Sequence, residues 1–472
     1  MSRKKRIIYS ILTVVLWILV WQVAAAWIHN QIFLPSPLKT VESLGSLLAS
    51  AEFYHSVGIS LGNIAEGFLL GVFAGICLAV LASVSDFFDT FIALPIRVIK
   101  ATPVASFTIL ALFWIDSTEL SVLISFFMVL PVIYTNVLTG IRSTDEQMLE
   151  MTKVFKVRLF DKVRFLYTPS VLPYLFSAVS VAIGLAWKSG IAAEVIGIAK
   201  NSIGNHLYQA KIFMEMPELF AWTFVTIVIS ILSEKLVLLC IRLLEKAVIG
   251  TVEETVENVQ IGETSETEEQ KNKEPEAVIT DRKIIVSEVS KSYGEKKVLE
   301  KFSVTLSPEY PIALMGSSGI GKTTLLRLVL SLENADEGMI MREKNADEFA
   351  VVFQENRLFE NVSVEQNLQM ICKDRSQKEE IFKLLKRLGL YDCRKQRVSC
   401  LSGGMKRRVA IGRALLADAP VLLLDEPFQG LDVATRKAVM RLVKEKMQGK
   451  SVLLITHDEK ESEFLDCEIL RI

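Results

Sequence analysis

The stretch PIALMGSSGIGKTTLLRLVLSL holds Gly316, Gly321, Lys322 and Thr323 in the spacing GxxxxGKT, after an apolar run and before a helical pattern. In that context glycines let backbone N–H groups turn inward around phosphate oxygens, and the following helix presents its positive end to the same anion. The residues expected to hold the phosphates of a nucleotide here are Gly316, Ser317, Ser318, Gly319, Gly321, Lys322, Thr323 and Thr324. Lys322 reaches the β- and γ-phosphates and Thr323 offers its hydroxyl to Mg²⁺. Downstream, VLLLDEP is an apolar strand ending in two carboxylates, Asp425 for the Mg²⁺ shell and Glu426 to polarise an attacking water. LSGGMKRR opens a helix with Ser402, Gly403 and Gly404, a further phosphate site of the helix-terminus kind, although taken alone it is equally an N-cap. His457 in ITHD ends another strand, placed to contact a γ-phosphate or to serve structurally, and Gln354 follows the strand FAVVF.

The chain that must position these groups has two unlike halves. It has 472 residues, enough for about three domain-sized units. Hydrophobic residues make up 51% and the mean hydropathy is +0.37, but the excess lies before residue 249. The net charge of −1 therefore describes neither half. Between them, ETSETEEQKNKEPEA is polar, acidic and without apolar period; residues 249–279 are expected to be a solvated flexible linker. The six cysteines form no CxxC pair and no Cys/His cluster, which excludes a disulfide framework or a cysteine metal site.

Residues 1–248 are expected to form an α-helical transmembrane bundle of six spans, near 7–28, 57–84, 90–115, 119–141, 170–196 and 218–241. The first, IIYSILTVVLWILVWQVAAAWI, is longer than a signal-peptide core and is expected to be retained. RKKR before it, and Arg142, Lys153, Lys156, Arg158, Lys162 and Arg164 in the 142–169 loop, put both termini and that loop on the cytoplasmic side of a multi-pass cell-membrane protein. Glu66, Lys188 and Glu194 fall within spans and are candidates for lining a transport pathway, with snorkelling or a structural ion pair as the alternative. In the basic loop, Met148, Met151, Val154, Phe155 and Leu159 form a helical apolar stripe. A helix over about 148–160 is suited to dock on lipid headgroups or on a protein.

The ordered set of motifs between about 280 and 472 resembles the nucleotide-binding domain of ATP-binding-cassette transporters, an α/β P-loop ATPase fold. The resemblance makes Gln354 the glutamine-loop residue, a catalytic and Mg²⁺-contacting position beside Glu426 and His457. It makes Asp432 the D-loop aspartate at the nucleotide, and Tyr293 in KSYGEKKVLE the aromatic that stacks on adenine. Met405 stands where Gln is usual, and the stretch between Leu332 and Ala350 is compressed. Residues 50–245 resemble the permeases of nitrate/sulfonate/taurine/bicarbonate importers, through SLGNIAEGFLLGVFAGI, GLAWKSGIAAEVIG and the 142–173 loop. That loop looks like the family's coupling motif, opened by Glu150, with Lys156 where Gly is usual; Asn63 sits where Arg is common.

The resemblance implies an ATP-hydrolysing importer of a small polar solute such as a sulfonate, nitrate, bicarbonate or vitamin precursor. In this family each ATP lies between the phosphate loop of one ATPase and the signature of another, so one chain is a half-unit and the working form is a homodimer. A separate extracytoplasmic substrate-binding protein and membrane lipid are the implied partners; no nucleic acid is. The rivals are an exporter, against which the short loops argue, and a membrane-anchored regulatory ATPase.

Overall fold

Gly67, Gly71 and Gly75 recur at every fourth residue along the helix Ala51–Val84, and that spacing sets how the first half of the chain packs. A Cβ at Gly67 would stand 2.3 Å from the Val122 carbonyl oxygen, one at Gly71 2.8 Å from Val129 Cβ, and one at Gly75 2.9 Å from Ile133 Cβ. The glycines let this helix close on the helix Leu120–Arg142, as small residues do where apolar side chains gain nothing by leaving lipid. Ile64, Phe68, Ile133, Trp187 and Trp222 belong to the buried core around the pair.

The structure, a computed structural model, describes residues 3–28, 30, 32–254, 282–317, 319–344, 346–372 and 377–472. It divides into two units, Met1–Ser143 with Pro169–Glu257, and Thr144–Thr168 with Asn258–Ile472. Among the described residues the first unit is helical throughout. Four helices are long and apolar enough to cross a membrane, Ala51–Val84, Leu120–Arg142, Leu159–Gly197 and Met216–Leu243, or five spans if one bent pair counts as a span. The six expected spans are therefore not all found. The first helix, Arg3–Ile28, contributes a shorter apolar stretch, Leu12–Ile28. The segment expected as one span over 90–115 is two helices, Asp86–Ala101 and Val104–Ala111, meeting at 101°. Pro103 accounts for the break: it lacks an N–H and drives Thr102 out of the helical region, to φ −77°, ψ 125°. The last helix of the unit, Met216–Glu254, runs past 249, where the linker was expected to start; the rest of that linker lies outside the described residues.

Glu194 is fully buried in this unit. Its Oε2 accepts from Ser60 Oγ at 2.8 Å and from the Gly204 N–H at 3.0 Å, while the Ile203 N–H donates to the same Ser60 oxygen at 3.0 Å. The carboxyl thus ties the start of the helix Ile203–Ile212 to the helix Ala51–Val84, at a terminus whose free N–H groups need acceptors. Glu66 and Lys188, the other charged residues expected along a pathway, are exposed on the unit. Asn63 donates to the Thr118 carbonyl at 3.0 Å.

The second unit contains two sheets. Strands β1 (Ile284–Tyr293), β2 (Lys296–Leu306) and β4 (Glu337–Arg342) form an antiparallel sheet ordered β2-β1-β4. Strands β3 (Ile312–Met315), β5 (Phe349–Val352), β6 (Val421–Asp425), β7 (Ser451–Ile455) and β8 (Glu468–Arg471) form a parallel sheet ordered β5-β6-β7-β3-β8. The strands β3, β5, β6 and β7 are buried at every residue, which is why they read as unbroken apolar runs. Alternate residues serve opposite faces. Ala350, Leu422, Leu424 and Leu454 enter one core, and Phe349, Leu423, Leu453 and Ile455 the other. Met148, Met151, Phe155, Val157 and Leu166, from the segment expected to dock, belong to that second core.

The glycine stripe can be tested with one substitution and its control. Gly71→Ala is expected to lower the melting temperature in detergent, because Val129 and the Phe126 carbonyl leave no room for a Cβ. Gly62→Ala, on the same helix with nothing within 4 Å, is expected to hold or raise it, by up to about 1 kcal/mol of helix propensity. Equal behaviour of the two would refute packing through the stripe.

Candidate active site

Four motifs stand together because four parallel strands end on one edge. The loop Gly316–Gly321 follows β3, Gln354 follows β5, Glu426 follows β6 and His457 follows β7. Ligand sites of open parallel sheets lie outside such carboxyl ends. Gly321 takes φ +117°, and a Cβ there would meet the Val298 carbonyl oxygen at 2.8 Å, so the loop needs glycine at this point. Lys322 is buried, and its ammonium donates to the carbonyls of Gly316 at 2.7 Å and Ser317 at 2.9 Å, which holds it across the loop. Ser318 lies outside the described residues.

Thr323 Oγ1 donates to Asp425 Oδ2 at 3.2 Å. A hydroxyl and a carboxylate this close are a hard-oxygen pair of the kind Mg²⁺ takes beside phosphate oxygens, so the residues fit the ion. Burial pushes the Asp425 carboxyl up to about 6, with the Glu426 charge adding to the rise and Thr323, Arg407 and Lys322 opposing it. Glu426 sits in the left-handed region at φ +46°, its N–H bonded to the Ile455 carbonyl at 2.8 Å. A non-glycine residue in that region is strained, as residues at functional sites often are. The turn aims the Glu426 carboxylate at His457, with Oε1 3.0 Å from Nε2. Ser402 Oγ caps its own helix, Gly403–Leu416, by accepting from the Met405 N–H at 3.3 Å. Asp432 likewise caps Val433–Lys446 through the Thr435 N–H. Among the described residues, no hydrogen bond joins Ser402, Gly403 or Gly404 to the phosphate loop of the same chain.

Arg407, which sequence reasoning did not single out, binds these parts together. Its Nε donates to the Pro427 carbonyl at 2.9 Å, Nη1 to those of Phe353 at 2.6 Å and Gln354 at 3.0 Å, and Nη2 to those of Asp425 and Glu426, both at 2.6 Å. One guanidinium thus fixes the ends of β5 and β6 to the helix that begins with Ser402. Burial lowers its pKa to about 10, with the nearby Asp425 and Glu426 working against the fall. Two turns on, Arg413 donates to the carbonyls of Arg357 at 2.6 Å and Asn356 at 3.3 Å and stands 4.8 Å from the Phe155 ring centre. The signal was present in LSGGMKRRVAIGRALL: an arginine inside an apolar helical run needs acceptors.

The segment Thr144–Thr168 is folded into this unit. Its helix is Glu146–Val154, capped by Asp145, and not the longer 148–160 expected. The helix stops because the Val157 N–H turns back to Thr152 O at 3.0 Å and the Lys156 N–H to Lys153 O at 3.1 Å, with Lys156 left-handed at φ +50°. That pattern usually ends on glycine. Lysine keeps the turn where the resembled family has Gly, and its ammonium lies 3.4 Å from Glu348. Glu150 enters between two arginines that the sequence reading also passed over. Arg327 grips it by both nitrogens, at 3.0 and 2.6 Å, and Arg357 donates at 2.9 Å.

Residues 299–429 match the family described as ABC transporter, and residues 67–250 the family described as binding-protein-dependent transport system inner membrane component. The chain is 38% identical over 197 residues to the taurine import ATP-binding protein of Shigella dysenteriae, covering 39% of this chain and 77% of that protein. It is 38% identical over 183 residues to an aliphatic sulfonates import ATP-binding protein of Rhodococcus jostii, covering 38% of this chain and 74% of that protein. A solved ATP-binding subunit of an ABC transporter aligns at 25% identity with TM-score 0.37, over 40% of this chain and 85% of its own.

Two outcomes follow. Arg407→Leu strands several buried carbonyls and is expected to cost about 3 kcal/mol or more of stability and to cut the ATP turnover number at least about tenfold. Thermal melts and steady-state ATPase assays check both, and a variant with wild-type turnover would exclude the clamp. Lys156→Gly relieves a left-handed lysine and gives up an exposed ion pair. It is expected to gain up to about 1 kcal/mol, read as slower proteolysis of residues 144–168; faster cleavage would count against the turn.

Proposed function

Since the chain belongs to the ATP-binding-cassette transporter family and joins a binding-protein-dependent permease component to an ATPase, we propose that it imports small sulfonates such as taurine. The observation that carries this reading is the pairing, in one chain, of a permease component with an ATPase whose relatives are named for taurine and sulfonate import. A separate extracytoplasmic binding protein delivers the solute. The chain crosses the cell membrane several times with both termini cytoplasmic, as its basic loop and N-terminus favour. Two copies work together, because one chain carries one phosphate loop and one signature, and in the resembled family each nucleotide lies between the loop of one ATPase and the signature of another, so Ser402, Gly403 and Gly404 serve a partner's nucleotide.

In the proposed cycle the adenine rests on the Tyr293 ring, and the phosphates lie under the loop Gly316–Gly321 with Lys322 on the β- and γ-oxygens. Mg²⁺ would be held by the Thr323 hydroxyl, the Asp425 carboxylate and the Gln354 side chain, and when bound neutralises charge on the β- and γ-phosphates. Glu426 orients and polarises the water that attacks the γ-phosphorus, and His457, 3.0 Å from that carboxylate, fixes its direction. ADP and phosphate leave, and the closed ATPase pair reopens. The helix Glu146–Val154, seated by Glu150, passes closure and reopening to the permease.

Reconstitution in proteoliposomes with labelled taurine and the cognate binding protein tests the reading: accumulation should require both ATP and that protein. Export from preloaded vesicles, or ATP turnover indifferent to the binding protein, would overturn it. Glu426→Gln should trap ATP without hydrolysing it, whereas Lys322→Ala should weaken binding itself. A mixed dimer of Lys322→Ala with Ser402→Glu should recover ATP trapping at one site, since one composite site carries both defects and the other none. Trapping no better than in either parent would exclude the shared site.

A further inference from the structure

The loop that follows the P-loop helix Lys322–Val329 does more than connect it to β4. The helix ends as the Leu332 N–H turns back to Arg327 O at 2.9 Å and the Ser331 N–H to Leu328 O at 3.0 Å, with Ser331 left-handed at φ +55°. This stop brings Glu333 back beside Arg327, whose Nε donates to Glu333 Oε1 at 2.5 Å. The other oxygen of the same carboxylate accepts from the Tyr293 phenol. Arg327 spends its remaining nitrogens on Glu150, and Glu150 continues to Arg357. The result is an unbroken hydrogen-bonded chain, Tyr293–Glu333–Arg327–Glu150–Arg357. It runs from the aromatic beside the phosphate loop to the helix that belongs in sequence to the permease.

The neighbourhood is built to hold the phenol still. Asp336, three residues beyond Glu333, accepts from Lys291 at 2.9 Å and from the Ser292 N–H at 2.7 Å, so the two residues of β1 just before Tyr293 are stitched to the same loop. Burial works against the Glu333 carboxylate, yet the phenol and the guanidinium on it bring it below the usual carboxylate range, so it stays ionised and accepts from both. Burial, with Glu333 adding to it, raises the Tyr293 phenol above its ordinary value, so it stays protonated and donates.

We propose that Glu333 is a positioning residue that joins base recognition to the seating of the coupling helix, by holding the Tyr293 phenol and the Arg327 guanidinium on its two oxygens. A purine on the Tyr293 ring restrains the phenol, the phenol restrains Glu333, and Glu333 leaves Arg327 set to grip Glu150. Coupling of this kind is reciprocal: loosening Glu150 must weaken nucleotide binding by the factor through which nucleotide tightens Glu150. The proposal rests on the reading of Tyr293 as the adenine platform.

The test uses the full chain in lipid nanodiscs, with AMP-PNP and GMP-PNP binding measured by calorimetry. Glu150→Gln and Glu333→Ala are each expected to weaken AMP-PNP binding about fivefold and to reduce its preference over GMP-PNP. Arg327→Lys keeps the charge beside Glu150 but lacks the fork, and is expected to do the same where Glu150→Gln folds poorly. In a Tyr293→Phe background, which keeps the ring and removes the phenol, Glu150→Gln should change AMP-PNP affinity by less than about 1.5-fold, because the chain is already cut. Effects that multiply in the double variant, or a Glu150→Gln chain that binds AMP-PNP like the wild type, overturn the proposal. Tyr293→Ala separates the two readings. If it leaves AMP-PNP affinity unchanged, the platform itself is wrong; if it weakens binding while the double variant is multiplicative, the platform stands and only the link through Glu333 falls.

Discussion

Glu150 lies, in sequence, between two helices apolar enough to cross a membrane, yet its carboxylate is held by two guanidinium groups of the ATPase unit. Its side chain is 10% exposed and that of Arg357 7%. Removing such charges from water costs several kcal/mol per ion, and only close geometry with every donor occupied offsets it. That condition is met at the Glu150 carboxylate: Arg327 is bidentate, Arg357 adds a third bond, and the face of Arg357 lies 4.0 Å from the Phe353 ring centre, while the buried Arg357 Nε has no hydrogen-bond partner among the described residues. A purely apolar contact between this helix and its groove would tolerate sliding by a turn. The ion pairs do not, so the register in which Met148, Met151 and Phe155 enter the ATPase core depends on one carboxylate.

Arginines bonded to backbone carbonyls carry that register to the chemistry. Arg357 belongs to the loop that begins at Gln354, and the carbonyls of Gln354, Asn356 and Arg357 are gripped by Arg407 and Arg413 of a single helix. The same Arg407 holds the carbonyls of Asp425 and Glu426. Burial lowers these two guanidinium groups only to about 10 and 9, so both stay charged at neutral pH. The start of the helix Gly403–Leu416, the loop after β5, the turn at Asp425 and Glu426 and the helix Glu146–Val154 are therefore mounted on one frame. A shift of the helix Gly403–Leu416 cannot leave the others behind without breaking the bonds that Arg407 and Arg413 make to these carbonyls.

What was legible in the sequence was local. The phosphate loop, the strand ends at Asp425 and His457 and most of the long apolar helices depend on neighbours within a few residues, and each stands where pattern reading put it. What was not legible was a partner far along the chain. Arg407 and Arg413 bond to main-chain oxygens, which every residue has, so nothing in the acceptor segments marks them. Glu194 read as a charge within a span, and its partners Ser60 and the Gly204 N–H are invisible to composition. The helix of the docking segment was drawn too long because its stop signal, a glycine in the resembled family, is Lys156 here. The stripe through Phe155 and Leu159 seemed to continue, but Leu159 is exposed beyond the turn. The break at Pro103 was written in the sequence, yet only its consequence for φ and ψ at Thr102 turns one span into two helices.

That a lysine holds a left-handed turn at this interface follows from covalent connection. Where permease and ATPase are separate chains, the docked helix must supply the free energy of assembly, and a turn strained by about 1 kcal/mol weakens the complex several-fold. Joined in one chain, the partners meet at an effective concentration set by the length between them. Association is then nearly settled before any contact forms. The contacts of residues 144–168 are left with the narrower task of fixing orientation, which Glu150 and its two arginines perform and to which the turn at Lys156 adds little. The strain at Lys156 and the complete pairing of Glu150 are two sides of the same connection.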